Sequence, residues 1–271
     1  MTMPEAWAGL LLTGFVAGVA SGLFGIGGGV VIVPVLIVFL HFTAPEAIST
    51  SLAALLLPVS ILGVLTYYRA KLIDIRAALI IALGLTLTNA FGALLTLWLD
   101  DINPDLMKQL YGVFLLYMSW RFVEPRRLYR WYVQERFTQA VDSGQQPAPV
   151  LPHIRWPVLF GIGLFAGFLA GLFGIGGGVV IVPILALGLG YDQKRAVATS
   201  LAALTLPIGL PGVLVYQQDG VLQAEVAAFV ALGILVGAIL GANIALNLSS
   251  EAMRRWYGVF LLFAALRFIF G

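Results

Sequence analysis

The chain has 271 residues, 61% of them hydrophobic and only 10% charged, against about 25% charge in a soluble domain, so a freely soluble globule is excluded. The net charge of +2 comes from Arg and Lys gathered between apolar blocks, and it reports membrane orientation, not affinity for nucleic acid. There is no cysteine, which rules out disulfides, thiolate catalysis and Cys-ligated metal.

The apolar blocks run 7–42, 47–68, 77–99, 157–191, 196–216 and 226–248, each near or above the ~20 residues that span a bilayer. The expected class is therefore an all-α, polytopic membrane protein. Met1 to Trp7 lacks a basic region and leads into an apolar run far longer than a signal peptide, so no cleaved signal is expected.

The first block, 7–42, is too long for one helix and is interrupted at Gly25, Gly27, Gly28 and Gly29. Glycine costs about 1 kcal/mol relative to Ala inside a helix, so the block is expected to be a hairpin of two arms of ~17 residues each. Gly14, Gly18 and Gly22 fall on one helical face, as do Gly163, Gly167 and Gly171; such ladders let helices approach closely in lipid. The second block opens with Glu46 and Ser49-Thr50-Ser51 and carries Pro58 in its interior, where a helix must kink or loosen. The third block holds Asn89, and a fourth, 106–124, holds Tyr111 and Arg121.

Thirteen residues, Gly22 to Pro34, recur letter for letter at Gly171–Pro183, an offset of 149. The chain is therefore a duplication: repeat 1 over 1–124, a basic linker over 125–156, and repeat 2 over 157–271. The second copy repeats Gly174, Gly176, Gly177 and Gly178, then Thr199-Ser200 and Pro207, with Asn243 late in its third block. Its fourth block repeats Tyr257 and Arg267 at an offset of 146. The linker's Arg126, Arg127, Arg130 and Arg136, with Trp131 and Phe137, suit a short helix on the membrane surface. Its Gln/Pro/Ser stretch reads as flexible.

Basic residues in short loops set orientation. The linker and the loop with Arg69, Lys71 and Arg76 are expected in the cytoplasm; the loops at 41–46 and 100–105, without Lys or Arg, are expected outside. In the second half the basic loops move to the alternate positions, with Lys194 and Arg195 in one and Arg254 and Arg255 in another. Two repeats inserted upside down relative to each other give that pattern. Inversion needs an odd number of crossings per repeat, so each glycine-rich block must enter and leave on one side. The expectation is about five helical segments per half, ten in all, with both termini outside.

Matched breaks in two repeats are the pattern of a transporter whose half-sites meet near the membrane midplane. Glycines at a helix start expose backbone N–H groups, and the helix adds roughly half a positive charge there, which suits a small oxyanion. Either Gly25 and Gly27–Gly29 with Gly174 and Gly176–Gly178 cradle an anion, or they only form tight turns; a plain turn should need fewer glycines. Ser49, Thr50, Ser51, Thr199 and Ser200 either donate to a substrate or cap their helices. Asn89 and Asn243 either bond between helices or contact substrate. Pro34, Pro183, Pro58 and Pro207 are candidate gates or kinks, and Arg121 and Arg267 either snorkel to headgroups or face the lumen.

Other chemistries find no footing. Gly25-Ile-Gly27 followed by Glu46 imitates a dinucleotide fingerprint without a βαβ unit. His41 and His153 are unrepeated and build neither a metal site nor a hydrolase triad. No enzyme, cofactor or metal is expected.

The doubled Ala17–Gly29 and Ala166–Gly178 segments, with Pro34, Pro183, Thr50-Ser51-Leu52 and Thr199-Ser200-Leu201, resemble the TauE/SafE (sulfite exporter, TSUP) family over both halves. The resemblance implies secondary transport of sulfur-containing anions such as sulfite, sulfoacetate or other organosulfonates across the bacterial inner membrane, usually as export. It also implies that Gly27–Gly29 and Gly176–Gly178 flank the substrate path. Alternatives are import, a pore, or a carrier for another small anion. A coupling proton would draw on Glu46, Asp74 or Glu225 at block edges, or on the substrate's own protonation.

Overall fold

The computed structural model describes residues 3–56, 61–103, 154–249 and parts of 106–117 and 252–266. Pro58, Arg121, Arg267, both chain ends and the linker from 125 to 153 lie outside the described residues. Among the described residues there is no strand. The first half gives α1 (Met3–Phe24), α2 (Gly29–Leu40), α3 (Ala44–Leu56), α4 (Ile61–Arg69) and α5 (Ile75–Ile102). The second gives α6 (Trp156–Phe173), α7 (Gly178–Pro183), α8 (Gln193–Leu204), α9 (Leu210–Gln218) and α10 (Ala224–Asn247). From α2 and α7 onward the two series start 149 residues apart.

Among the described residues, four helices are long and apolar enough to cross a bilayer: α1 over Trp7–Phe24, α5, α6 over Trp156–Phe173, and α10. On α5 the exposed Leu79, Leu83, Leu87, Phe91, Leu94 and Trp98 form an outward stripe at three- and four-residue spacing, as a lipid-facing surface requires.

One expectation about the hairpins is corrected. The hairpin arms are unequal, not ~17 residues each: α1 has 22 residues and α2 only 12. Pro34 sits within α2 without ending it, whereas Pro183 closes α7 and passes the chain to a π-helical turn, Ile184–Gly188. The expectation that these blocks kink or loosen at proline can be followed only at Pro207, where the helix is interrupted. The axes of α3 and α4 diverge by 49°, and an irregular turn at 205–209 with an exposed Pro207 separates α8 from α9. Among the described residues the first three blocks give five helical segments per half.

Each half lends its first helix to the other. Gly14, Gly18 and Gly22 of α1 lie against the backbone of α10 at Val230, Ile234 and Ala238; a β-carbon at Gly18 would stand 2.5 Å from Ile234 O. Gly163, Gly167 and Gly171 of α6 lie in the same way against Ile81, Leu85 and Asn89 of α5. Rising numbers meet rising numbers, so both pairs are parallel. Tyr67 Oη donates to Gly22 O at 2.7 Å, and its counterpart Tyr216 Oη donates to Gly171 O at 2.9 Å.

Polar contacts gather the loops into two groups. Tyr191 and Thr199 bond Asp74, and Lys194 Nζ donates to Leu246 O at 2.8 Å. Elsewhere, Ser49 Oγ reaches Val221 O at 3.3 Å, and the rings of Trp7 and Phe229 stand 4.1 Å apart.

Candidate functional site

The glycine-rich turns are built from left-handed backbone. Gly25, Gly27 and Gly28 have φ of 70°, 80° and 90°, and Gly174, Gly176 and Gly177 have 67°, 72° and 82°, values only glycine adopts readily. Gly29 and Gly178 lack a side chain for another reason, because the turns cross. A β-carbon at Gly29 would stand 2.7 Å from Ile175 Cα, and one at Gly178 would stand 2.7 Å from Ile26 Cα. Backbone geometry thus uses every glycine in the motif, and their number alone gives no reason to infer a ligand.

The helix starts do give one. Gly28 and Gly177 are the N-caps of α2 and α7, and neither helix has a side-chain cap. The first bonds are Val31 N to Gly28 O at 2.9 Å and Val180 N to Gly177 O at 3.0 Å. The amides of Gly29, Val30, Gly178 and Val179 therefore precede the first turn and have no helical acceptor. All four residues are buried.

The two tips touch: a β-carbon at Gly27 would stand 3.8 Å from Gly176 Cα. Beside them lies a cavity of about 10 Å³, lined by Gly27, Gly176, Asn89, Ala170, Gly209 and the apolar Leu52, Leu55, Leu204 and Ile208. That is room for about one water. Leu204 Cδ1 would meet a β-carbon on Gly27 at 3.1 Å, and Leu55 Cδ1 would meet one on Gly176 at 3.0 Å. Each leucine therefore covers the other repeat's tip. Nothing in the sequence marks these leucines among the many in the chain.

Asn89 is 1% exposed. Its Oδ1 accepts from Gly212 N at 3.1 Å, and its Nδ2 reaches Gly167 O at 3.5 Å, so it braces α5 against α6 and α9. An amide nitrogen carries two hydrogens, which leaves one uncommitted at the cavity wall. Asn243 is apart from this group, exposed on the outer face of α10 at the position matching Leu94.

The hydroxyls are distributed differently. Ser51 Oγ donates to Gly174 O at 2.8 Å and Ser200 Oγ donates to Gly25 O at 2.9 Å, so each fastens the opposite tip. Ser49 Oγ donates to Glu46 O at 3.0 Å, Thr199 Oγ1 accepts from Asp74 N at 3.1 Å, and Thr50 Oγ1 is buried without a partner. None of the five caps its helix. Thr43 and Glu46 form a capping box ahead of α3, with Thr43 N donating to Glu46 Oε2 at 2.8 Å. Asp192 caps α8 by accepting from Lys194 N at 3.0 Å.

A sequence profile of the family described as "Sulfite exporter TauE/SafE" matches residues 10–268. A protein of Methanocaldococcus jannaschii named "Probable membrane transporter protein" is 29% identical over 258 residues, 90% of this chain and 88% of its own. Two Bacillus subtilis proteins of the same description also match. One, YunE, is 30% identical over 202 residues, 71% of each chain; the other, YdhB, is 27% identical over 234 residues, 86% of this chain and 88% of its own. No solved structure matches the chain.

Proposed function

The chain belongs to the TauE/SafE family of membrane transporters, and from that premise we propose that it moves small sulfur-containing oxyanions, sulfite or an organosulfonate, across the cytoplasmic membrane by alternating access. One observation carries the reading: two buried helix starts without side-chain caps meet at Gly27 and Gly176, beside an amide of Asn89. Unpaired backbone N–H groups and two helix dipoles favour an anion there without a buried Lys or Arg. A cavity with space for one water supports a carrier that must open to admit its cargo, in preference to a standing pore. The leucines over the tips are the parts that have to move, and the 205–209 turn behind α8 and the 49° divergence of α3 and α4 supply the freedom for it. Export follows the family's description.

The loop contacts support an inverted arrangement of the repeats. Asp74, Tyr191, Lys194 and Leu246 belong to regions expected in the cytoplasm from their basic residues, and Ser49 and Val221 to regions expected outside. Equivalent loops of the two halves thus fall into opposite groups.

The test is a thermal-shift panel of purified protein against sulfite, sulfate, thiosulfate, taurine and sulfoacetate, followed by flux in proteoliposomes. A ligand that binds the folded state raises the midpoint. Saturable flux of the shifting anion is the expected result. Flux that stays proportional to concentration would mean a pore, and no shift with no flux would remove the sulfur-anion reading.

A further inference from the structure

Ser21 sits where α1 runs into the first tip; it is 0% exposed, and its Oγ meets no hydrogen-bond partner. A hydroxyl inside a helix commonly turns onto the carbonyl four residues back. The chain's own helices do this at Thr13 onto Gly9 O, Thr66 onto Leu62 O and Thr86 onto Ala82 O. A buried hydroxyl that declines that bond needs a cause.

Position supplies one. Ala17, one turn earlier on the same face, underlies the tip: a β-carbon at Gly28 would stand 3.4 Å from Ala17 Cβ. The residue matching Ser21 in the second repeat is Ala170, which lines the cavity beside Asn89. The residue matching Asn89 is Ala238, fully buried on α10. The cavity straddles the relation between the halves, because both members of the pairs Gly27/Gly176 and Leu55/Leu204 line it. Ser21 is not itself part of the cavity lining; through the relation between the repeats it holds, beside the first tip, the place that Ala170 holds beside the second, and Ala238 holds the place of Asn89.

We propose that Ser21 is a substrate-binding residue whose hydroxyl donates to one oxygen of the carried anion while the uncommitted Nδ2–H of Asn89 donates to another. The assignment rests on the transport reading above and deepens it. An oxyanion whose oxygens diverge from one central atom spans two donors on opposite flanks. The two flanks offer different groups, an amide and a hydroxyl, so the bound anion sits in one orientation although the tips that hold it are alike.

The test is Ser21→Ala beside wild type in proteoliposomes, with thermal midpoints measured with and without sulfite. Alanine already occupies the matching position 170, so the substitution is expected to fold with a midpoint no lower than wild type. The expected functional change is a KM for sulfite raised about tenfold with maximal flux within about twofold, the signature of lost binding that is uniform through the cycle. The sulfite-induced shift of the midpoint should shrink with it. A KM equal to wild type overturns the assignment, and so does a lowered ligand-free midpoint, which would mark a structural hydroxyl. A wild-type protein that neither shifts nor transports with any sulfur oxyanion overturns the transport reading itself, and that result is separate because it appears before any substitution is made.

Discussion

Tyr191 Oη donates to Asp74 Oδ2 at 2.7 Å, tying the loop ahead of α8 to the start of α5. Asp74 is held from two further sides, by Ala77 N on Oδ1 at 3.0 Å and through its own amide to Thr199. The matching trio in the other half is Phe42, Gln223 and Thr50, and there the Thr50 hydroxyl has no partner. One end of the molecule is latched by a bond that the other end lacks. Burial first, and then the Asp74 acceptor, push the ionisation of Tyr191 well above the usual tyrosine range, with Arg195 opposing. A group whose folded value is raised contributes stability that is complete below the unfolded value, about 10 for tyrosine, and that is lost as pH climbs through the folded value. Wild type should therefore lose more thermal stability than Tyr191→Phe as pH rises past about 10. Parallel curves for the two proteins would show that Tyr191 contributes nothing to the alkaline limb.

The leucine pair makes a sharper prediction about movement. Leu55 lies one residue from the end of α3 and Leu204 ends α8, each over the other repeat's tip and each close to where its block divides into two helices. If these divisions are hinges, each leucine uncovers the cavity toward one face of the membrane. The chain has no cysteine, so Leu55→Cys and Leu204→Cys give single reporters without background. A membrane-impermeant thiol reagent should label the two from opposite faces, and sulfite should slow both reactions. Labelling of both from one face would remove the paired gate.

The broad class was legible because a bilayer leaves few options. Long apolar blocks can only be helices, and a thirteen-residue exact repeat can only be a duplication. The glycine ladders were legible too, since small residues at four-residue spacing have one common use in lipid. At Pro207 the sequence leaves a kink and a loosened turn both open because proline removes one bond, while the full interruption at 205–209 also depends on what packs beside it. For Ser51 and Ser200 the sequence leaves a substrate donor and a helix cap equally open; that they fasten the opposite tip depends on a crossing of two distant turns, which no local pattern encodes. Asn89 and Asn243 looked alike in composition. Their difference, one beside a cavity and the other facing outward, follows from which face of a helix meets a neighbour, and in blocks apolar all round hydropathy does not mark that face.

The two fastening serines should behave alike. Ser51→Ala leaves Gly174 O without its partner, and Ser200→Ala does the same to Gly25 O, both in fully buried surroundings. An unsatisfied buried acceptor costs about 1–3 kcal/mol. Each variant should lower the thermal midpoint by a similar amount, with KM changed far less than stability. A large rise in KM at an unchanged midpoint would return these hydroxyls to the substrate.

Two glycines of α6, two residues apart, should respond in opposite ways. A β-carbon at Gly161 meets nothing within 4 Å, so Gly161→Ala only removes a poor helix former and should gain up to about 1 kcal/mol. A β-carbon at Gly163 runs into the backbone of α5 at Ile81 and stands 3.0 Å from Gly84 Cα. Backbone cannot rotate away as a side chain can, so Gly163→Ala must push α5 and α6 apart along the ladder that holds the halves together. Overpacking of this kind costs about 1–3 kcal/mol and sometimes more. Thermal unfolding in detergent should rank Gly161→Ala at or above wild type and Gly163→Ala well below it. Equal midpoints for the two would mean that the close contact of α5 and α6 is not what stabilises this pair.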